Sequence, residues 1–107
     1  MCQKLIICRY IKYRNYFTPC TVDRDYAYFI ETKRKIKKGD YICIAENKGN
    51  DNGVCISIVR VMNVVNNYKN NVEEGNTLIA SCENSPCNKI FVGKVTQKLK
   101  QRFKENE

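Results

Sequence analysis

A short segment near the start of the chain combines the two residue types that bind nucleic acids, cations and aromatic rings. Residues 9–17 read Arg-Tyr-Ile-Lys-Tyr-Arg-Asn-Tyr-Phe. Basic side chains neutralise phosphates, and aromatic rings stack on bases with about 1–3 kcal/mol per base. The candidate ligand-binding residues of this segment are Arg9, Tyr10, Lys12, Tyr13, Arg14 and Tyr16.

The two faces of this segment would differ if the chain is extended. Alternate residues of a strand point to opposite sides, so Tyr10, Lys12 and Arg14 would share one face, which we predict to be the ligand face. Tyr13 and Tyr16 would add stacking surfaces. The alternative is that the tyrosines cover the hydrophobic core and the cations line its rim.

A second basic run, Lys-Arg-Lys-Ile-Lys-Lys at residues 33–38, adds Arg34 and Lys37 to the candidate contacts. If this run lies beside residues 9–17, the two form one positive stripe. The alternative is a solvated edge that discourages the addition of foreign strands.

The formal net charge of +8 is concentrated at the two ends of the chain. Residues 1–38 carry ten Lys or Arg against three Asp or Glu, residues 39–92 carry four against six, and residues 93–107 carry five against two. A positive surface of this kind favours phosphate-bearing partners, although excess lysine also serves solubility alone.

The composition argues against catalysis. The chain has no histidine, which removes Ser-His-Asp and Cys-His arrangements. Residues 47–53 lack the Gly-Lys-Ser/Thr of a phosphate-binding loop. We therefore predict a non-enzymatic protein without a cofactor.

The seven cysteines do not predict a disulfide framework, because their number is odd and several lie in apolar runs. Cys82 and Cys87 have a spacing found in some zinc half-sites, but a structural zinc ion needs four ligands. No metal site is predicted.

No apolar stretch approaches the roughly 20 residues of a membrane helix, and the apolar start of the chain is too short for a signal peptide. We predict a cytoplasmic protein that does not bind membranes.

Alternating and β-branched residues predict strands over residues 4–12, 25–32, 41–46, 54–65 and 89–95. Gly39 and Asp40 predict a tight turn, and a slip in alternation between Ile58 and Val59 predicts a β-bulge. A short helix is expected at about residues 96–105, with Leu99 and Phe103 on one face.

These elements predict a single domain, residues 1–107, that is mainly β. The expected fold is a small SH3-like or KOW-like antiparallel barrel, or a curled sheet, over about residues 4–95, followed by the short C-terminal helix.

Four pieces of the chain resemble small proteins of tailed bacteriophages and prophages, some of them associated with anti-defence loci. They are Tyr-Ala-Tyr-Phe at 26–29, Ile-Lys-Lys-Gly-Asp-Tyr-Ile-Cys-Ile-Ala at 36–45, Gly-Val-Cys-Ile-Ser-Ile-Val-Arg-Val at 53–61 and Ile-Phe-Val-Gly-Lys-Val at 90–95. The resemblance implies a phage setting in the bacterial cytoplasm and leaves the activity open.

Three classes of function remain. The protein binds a phosphate-rich ligand, either a nucleic acid or a nucleotide signal, to counter host defence; or it inhibits a host defence protein such as a CRISPR nuclease; or it is a structural module that assembles with copies of itself. Binding of a phosphate-rich ligand is the prediction that the charge distribution favours.

Overall fold

The computed structural model describes residues 3–13, 19–47 and 54–95. These residues form seven strands, a 3₁₀ turn at Tyr68–Asn70 and one α-helix, α1, at Val72–Ile79. The strands are β1 (Gln3–Tyr13), β2 (Pro19–Thr21), β3 (Tyr26–Glu31), β4 (Tyr41–Asn47), β5 (Val54–Val65), β6 (Cys87–Asn88) and β7 (Ile90–Lys94).

The strands form one sheet in the order β6-β3-β1-β5-β4-β7, with β2 paired to the far end of β1. All pairings are antiparallel except that of β3 with β6. β6 and β7 are consecutive pieces of one segment, so residues 87–94 pair first with one edge strand and then with the other. The sheet is therefore strongly curled into an open half-barrel, which confirms the predicted mainly β curled sheet.

The inner face of the curl holds the larger hydrophobic cluster. It is built from alternate residues of four strands and from Ile36, which precedes β4: Ile6, Cys8, Tyr28, Ile30, Ile36, Ile42, Ile44, Val59 and Val61. β3 alternates regularly, as expected of a strand at residues 25–32: Tyr26, Tyr28 and Ile30 face this cluster while Ala27 and Phe29 face the other side.

The outer face of β1, β3 and β5 is covered by the 3₁₀ turn and α1. Leu78 and Ile79 of α1 and Tyr68 pack against a second cluster of Leu5, Ile7, Ala27 and Val65. The sequence did not predict this helix. Its interior carries Gly75, a poor helix former, so the packing of one apolar side must stabilise it.

β5 contains an irregularity, at a different place from the predicted bulge. Ile7 pairs with Asn63 whereas Cys8 pairs with Val61, so Met62 is the extra residue. Val59 and Val61 face the inner cluster with regular alternation; the apparent slip at Ile58 arises because Ile58 lies on the outer face and is also apolar.

The predicted helix at about residues 96–105, with Leu99 and Phe103, lies outside the described residues. Among the residues that are described, no helix combines the length and the apolar character needed to cross a membrane.

Candidate phosphate-binding surface

The strongest concentration of exposed charge in the described structure is the basic loop, defined here as residues 33–38, between β3 and β4. Its five cations, Lys33, Arg34, Lys35, Lys37 and Lys38, are all exposed. Ile36 in their midst is only 1% exposed and belongs to the inner cluster. Burying Ile36 forces the neighbouring cations outward, so a hydrophobic anchor fixes a cationic surface.

Hydrogen bonds hold the backbone on both sides of this anchor. The Arg34 amide donates to Thr32 Oγ1 at 3.0 Å, and the Lys37 amide donates to Asp40 Oδ2 at 2.8 Å. The Gly39 amide donates to the Val61 carbonyl, and the Val61 amide donates to the Asp40 carbonyl, both at 2.7 Å. The basic loop is thus fastened to β5.

The predicted tight turn at Gly39 and Asp40 is confirmed. Gly39 has a φ of 93°, a conformation that other residues adopt only with strain, and Asp40 accepts the nearby amide of Lys37. The turn does not join two paired strands. It leads from the basic loop into β4, which pairs with β5 and β7.

The charges around the basic loop leave it strongly positive. Within residues 31–40 the five cations face two carboxylates, Glu31 and Asp40. Asp40 also forms an ion pair with Lys94, Nζ to Oδ2 3.2 Å. A phosphate approaching the basic loop therefore meets cations in excess over carboxylates.

Arg9, the first candidate of the segment 9–17, lies in a different environment. Its Nε donates to Asp25 Oδ1 at 2.7 Å, and its Nη1 lies 3.0 Å from Asp23 Oδ1. The hydrogen bond to Asp25 raises the pKa of Arg9 above its ordinary value. Two carboxylates compensate the charge of Arg9, which makes it a weak phosphate ligand.

Tyr10 belongs to an aromatic cluster with Tyr26 and Tyr28 at one end of the inner core. The Tyr10 ring meets Tyr26 edge-on at a centroid distance of 5.3 Å, and its hydroxyl lies 2.5 Å from that of Tyr28. Burial raises the pKa of both Tyr10 and Tyr28. Lys12, two residues further along β1, is exposed. Tyr10 therefore covers the hydrophobic core and Lys12 lies at its rim. This is the second of the two arrangements considered for residues 9–17.

The basic loop begins at the opposite end of β1 from Lys12 and runs toward the middle of the sheet, where Gly39 and Asp40 are bonded to Val61, the partner of Cys8. Glu31, where β3 ends and the chain enters the loop, pairs with Gln3 at the start of β1. Lys12 is nine residues further along β1, which corresponds to roughly 30 Å of strand. Arg34 and Lys12 are therefore separate positive sites.

The remaining candidates fall partly or wholly outside the description. Arg14 and Tyr16 lie outside the described residues, and only the backbone of Tyr13 is described, where it pairs with Pro19. Conversely, the structure adds Lys33, Lys35 and Lys38 to the site. The signal that identifies them is in the sequence, because five cations in six residues around one isoleucine leave only the isoleucine to be buried.

Lys89 is a half-buried cation that no sequence pattern singles out, and its contacts are structural. Its Nζ lies 3.3 Å from Glu46 Oε2 and 5.0 Å from the centroid of the Tyr28 ring. Lys89 is the residue between β6 and β7, so these contacts hold the segment that links the two edges of the sheet.

The cysteine pair on the polar loop does not assemble a metal site within the described chain. Cys82 is half-buried and its thiol points to the Leu78 carbonyl, whereas Cys87 is exposed in β6. Among the described residues no group of three or more potential ligands lies together.

Comparison with known proteins identifies no relative: no family model, curated protein or solved structure matches the chain. The described surface itself offers a hydrogen-bonded loop that carries five exposed cations. Such a surface can neutralise several phosphates at once.

Proposed function

We propose that the protein is a non-enzymatic nucleic-acid-binding module whose principal contact surface is the basic loop. The observation that carries the proposal is the pairing of five exposed cations with the buried Ile36 and the Asp40 turn beneath them. The backbone is already ordered, so binding has to immobilise only the side chains.

A polymer fits this surface better than a single nucleotide. The cations occur at consecutive positions of an exposed loop, with only Ile36 turned inward, so they are spread along the chain. Each one that displaces a counterion from a polyanion adds to the affinity at low salt. A mononucleotide offers too few phosphates to engage all five.

The test is the affinity of a fluorescent 20-base-pair duplex, measured by anisotropy from 50 to 200 mM salt. We compare Arg34→Gln/Lys37→Gln with Lys12→Gln/Arg24→Gln, which removes two exposed cations that lie outside the basic loop. Both variants have the same net charge. The loop variant should reduce the slope of log K against log[salt] by about 1.8, since each phosphate contact contributes about 0.9.

The matched variant should bind nearly as well as the unmodified protein. Equal losses in both variants would mean that net charge alone attracts the duplex, and a larger loss in Lys12→Gln/Arg24→Gln would move the site to β1. Circular dichroism of each variant checks the fold, which exposed charges stabilise little.

For the biological setting we propose counter-defence in the cytoplasm of a phage-infected bacterium, on the basis of the resemblance to small phage proteins. Expression of the protein should restore phage plating on a host whose defence depends on nucleic acids, such as a CRISPR nuclease. Arg34→Gln/Lys37→Gln should fail to restore plating at the same cellular abundance. If both the unmodified protein and the variant restore plating, the counter-defence activity does not depend on the basic loop.

A second candidate, assembly with another copy of the chain, is favoured by β7. Ile90 and Val92 of this strand are 49% and 51% exposed, and β7 ends the described strand order. Exposed apolar edge strands pair readily with an identical strand across a two-fold axis. Light scattering during size exclusion would then show a dimer that Val92→Lys converts to a monomer; a monomer in the unmodified protein would exclude this candidate.

A further inference from the structure

We infer that the basic loop recognises only the sugar–phosphate backbone of a nucleic acid and makes no stacking or hydrogen-bonding contact with the bases. The inference rests on the proposed function and narrows it. It identifies the ligand as a nucleic-acid strand of any sequence and the mode of recognition as charge neutralisation.

The first support is that the described aromatic rings pack against other rings or against the core, and that none of them belongs to the basic loop. Tyr10, Tyr26 and Tyr28 contact one another at the end of the inner core. Phe29 lies against Tyr68 with a centroid distance of 5.2 Å. Stacking on a base requires an accessible ring face, and these contacts cover part of each ring.

Of the other two described aromatic side chains, one is buried and one is half-buried, and the half-buried Phe91 lines an open cavity of about 450 Å³ together with Phe29. Tyr41 is 1% exposed beneath the guanidinium of Arg60, 5.8 Å from its ring centroid, and Phe91 packs against the inner cluster. All the aromatic side chains that the structure describes are buried or half-buried.

The second support is the composition of the basic loop itself. It contains four lysines, one arginine and the buried Ile36, and thus no ring and no amide side chain. Amides pair with adenine, and an arginine pairs in a bidentate manner with guanine. Lysines can bond guanine too, but as flexible point charges, so Arg34 is the one side chain of the loop with a planar fork.

The loop geometry favours phosphate contact for Arg34 as well. Its amide is hydrogen-bonded to Thr32 and the adjacent Lys33 and Lys35 are both exposed. A side chain that reads bases must enter a groove, whereas flanking lysines are attracted to the phosphates at the groove's edge. We expect Arg34→Lys, which keeps the charge but removes the planar fork, to bind within twofold of the unmodified protein.

The decisive probe is a strand without bases. We compare a 20-nucleotide oligothymidine with a strand of the same length in which most positions carry an abasic tetrahydrofuran, at equal salt. The inference predicts dissociation constants within about twofold, because both strands carry the same phosphates. A loss of tenfold or more on removing the bases would overturn it.

Such a loss would assign base contacts to the segment 9–17, and Tyr13→Ala/Tyr16→Ala should then abolish the difference between the two strands. The proposed function fails in a different way. If neither single strand nor the duplex binds at 50 mM salt, the protein does not bind nucleic acid and the proposed function is wrong. If both bind equally and Arg34→Lys is tolerated, recognition through the backbone is established.

Discussion

The hydroxyl groups of Tyr10 and Tyr28 lie 2.5 Å apart and share a hydrogen bond across neighbouring strands. The pair lies at the end of the inner core, where Tyr26 stacks parallel to Tyr28 and Lys89 lies over the Tyr28 ring. Each partner satisfies a polar atom that would otherwise be costly to bury. This relationship commits Tyr10 to the fold and leaves the basic loop as the main described cluster of exposed cations.

The tyrosine pair predicts a loss of stability at alkaline pH. Burial raises the pKa of both tyrosines above the ordinary value of 10.0, and for Tyr28 the hydrogen bond to Tyr10 adds to the rise. As pH rises, the tyrosines of the unfolded chain therefore lose their protons at a lower pH than those of the folded protein. The stabilisation is complete below pH 10 and decreases as pH rises toward the folded-state values.

Urea unfolding at pH 8, 9, 10 and 11 measures this effect. The free energy of unfolding should fall above pH 10 in the unmodified protein and fall less steeply in Tyr28→Phe, which has one fewer group to ionise. Parallel curves for the two proteins would contradict the prediction.

Cys8 is predicted to be the least reactive thiol among those with described side chains. It has no exposed surface, and burial, followed by the nearby Cys82 and Asp25, raises its pKa to about 12. At pH 8 only about one thiol in ten thousand is then ionised, and the thiolate is the reactive form. Cys87, exposed in β6, is the internal control.

Timed alkylation with iodoacetamide, followed by peptide mass spectrometry, compares the two sites in one sample. Cys87 should be modified first, and Cys8 only after urea is added. Equal rates in native buffer would show that the inner core opens far more readily than its packing indicates.

Gly75→Ala should destabilise the protein although alanine is the better helix former. A Cβ at this position would lie 2.5 Å from Cε2 of Tyr68 and 3.1 Å from Cδ2 of Leu5. The gain in helix propensity is about 1 kcal/mol, whereas overpacking costs about 1–3 kcal/mol, so we expect a net loss of about 1 kcal/mol.

Gly93→Ala provides the matched control, because a Cβ there would meet no atom within 4 Å. Thermal unfolding should show a lower midpoint for Gly75→Ala alone. Adding Tyr68→Leu should recover part of that loss, since it removes the ring atoms in conflict. A stable Gly75→Ala would mean that α1 lies further from β1 than the structure shows.

The two carboxylates around Arg9 should differ in their contributions. Asp25 is 26% exposed and accepts the 2.7 Å hydrogen bond, whereas Asp23 is 94% exposed. Asp25→Asn should lower the free energy of unfolding by about 1 kcal/mol, and Asp23→Asn should have no measurable effect. The variants change the net charge equally, so equal effects in chemical denaturation would point to long-range charge and away from the short contact.

Local sequence patterns were sufficient where a single strand or turn carried the information. The strand at residues 54–65 has the predicted bounds, and the faces of β3 follow from its alternation. The turn at Gly39 follows from its lack of a Cβ. In these cases the free energy depends on neighbours in the chain, which the sequence displays directly.

The α-helix and the true position of the β5 irregularity could not be read in this way. Gly75 lowers the helix propensity of this segment. Only the structure shows that Tyr68 and Leu5 occupy the space that a side chain at this position would need. Met62 becomes the extra residue only because β1 sets the register on both sides of it. The helix and the β5 irregularity both depend on contacts with residues that are distant in the sequence.

By itself, the sequence determined a basic, mainly β protein with a cationic run at residues 33–38, since charge and alternation are properties of consecutive residues. The tertiary structure decided which cations of the chain remain available. It brought Asp23 and Asp25 to Arg9, turned Tyr10 into the core and placed Arg34 at the opposite end of β1 from Lys12. Ion pairing and burial act through space, so only the packing of the strands could separate the compensated cations from the exposed ones.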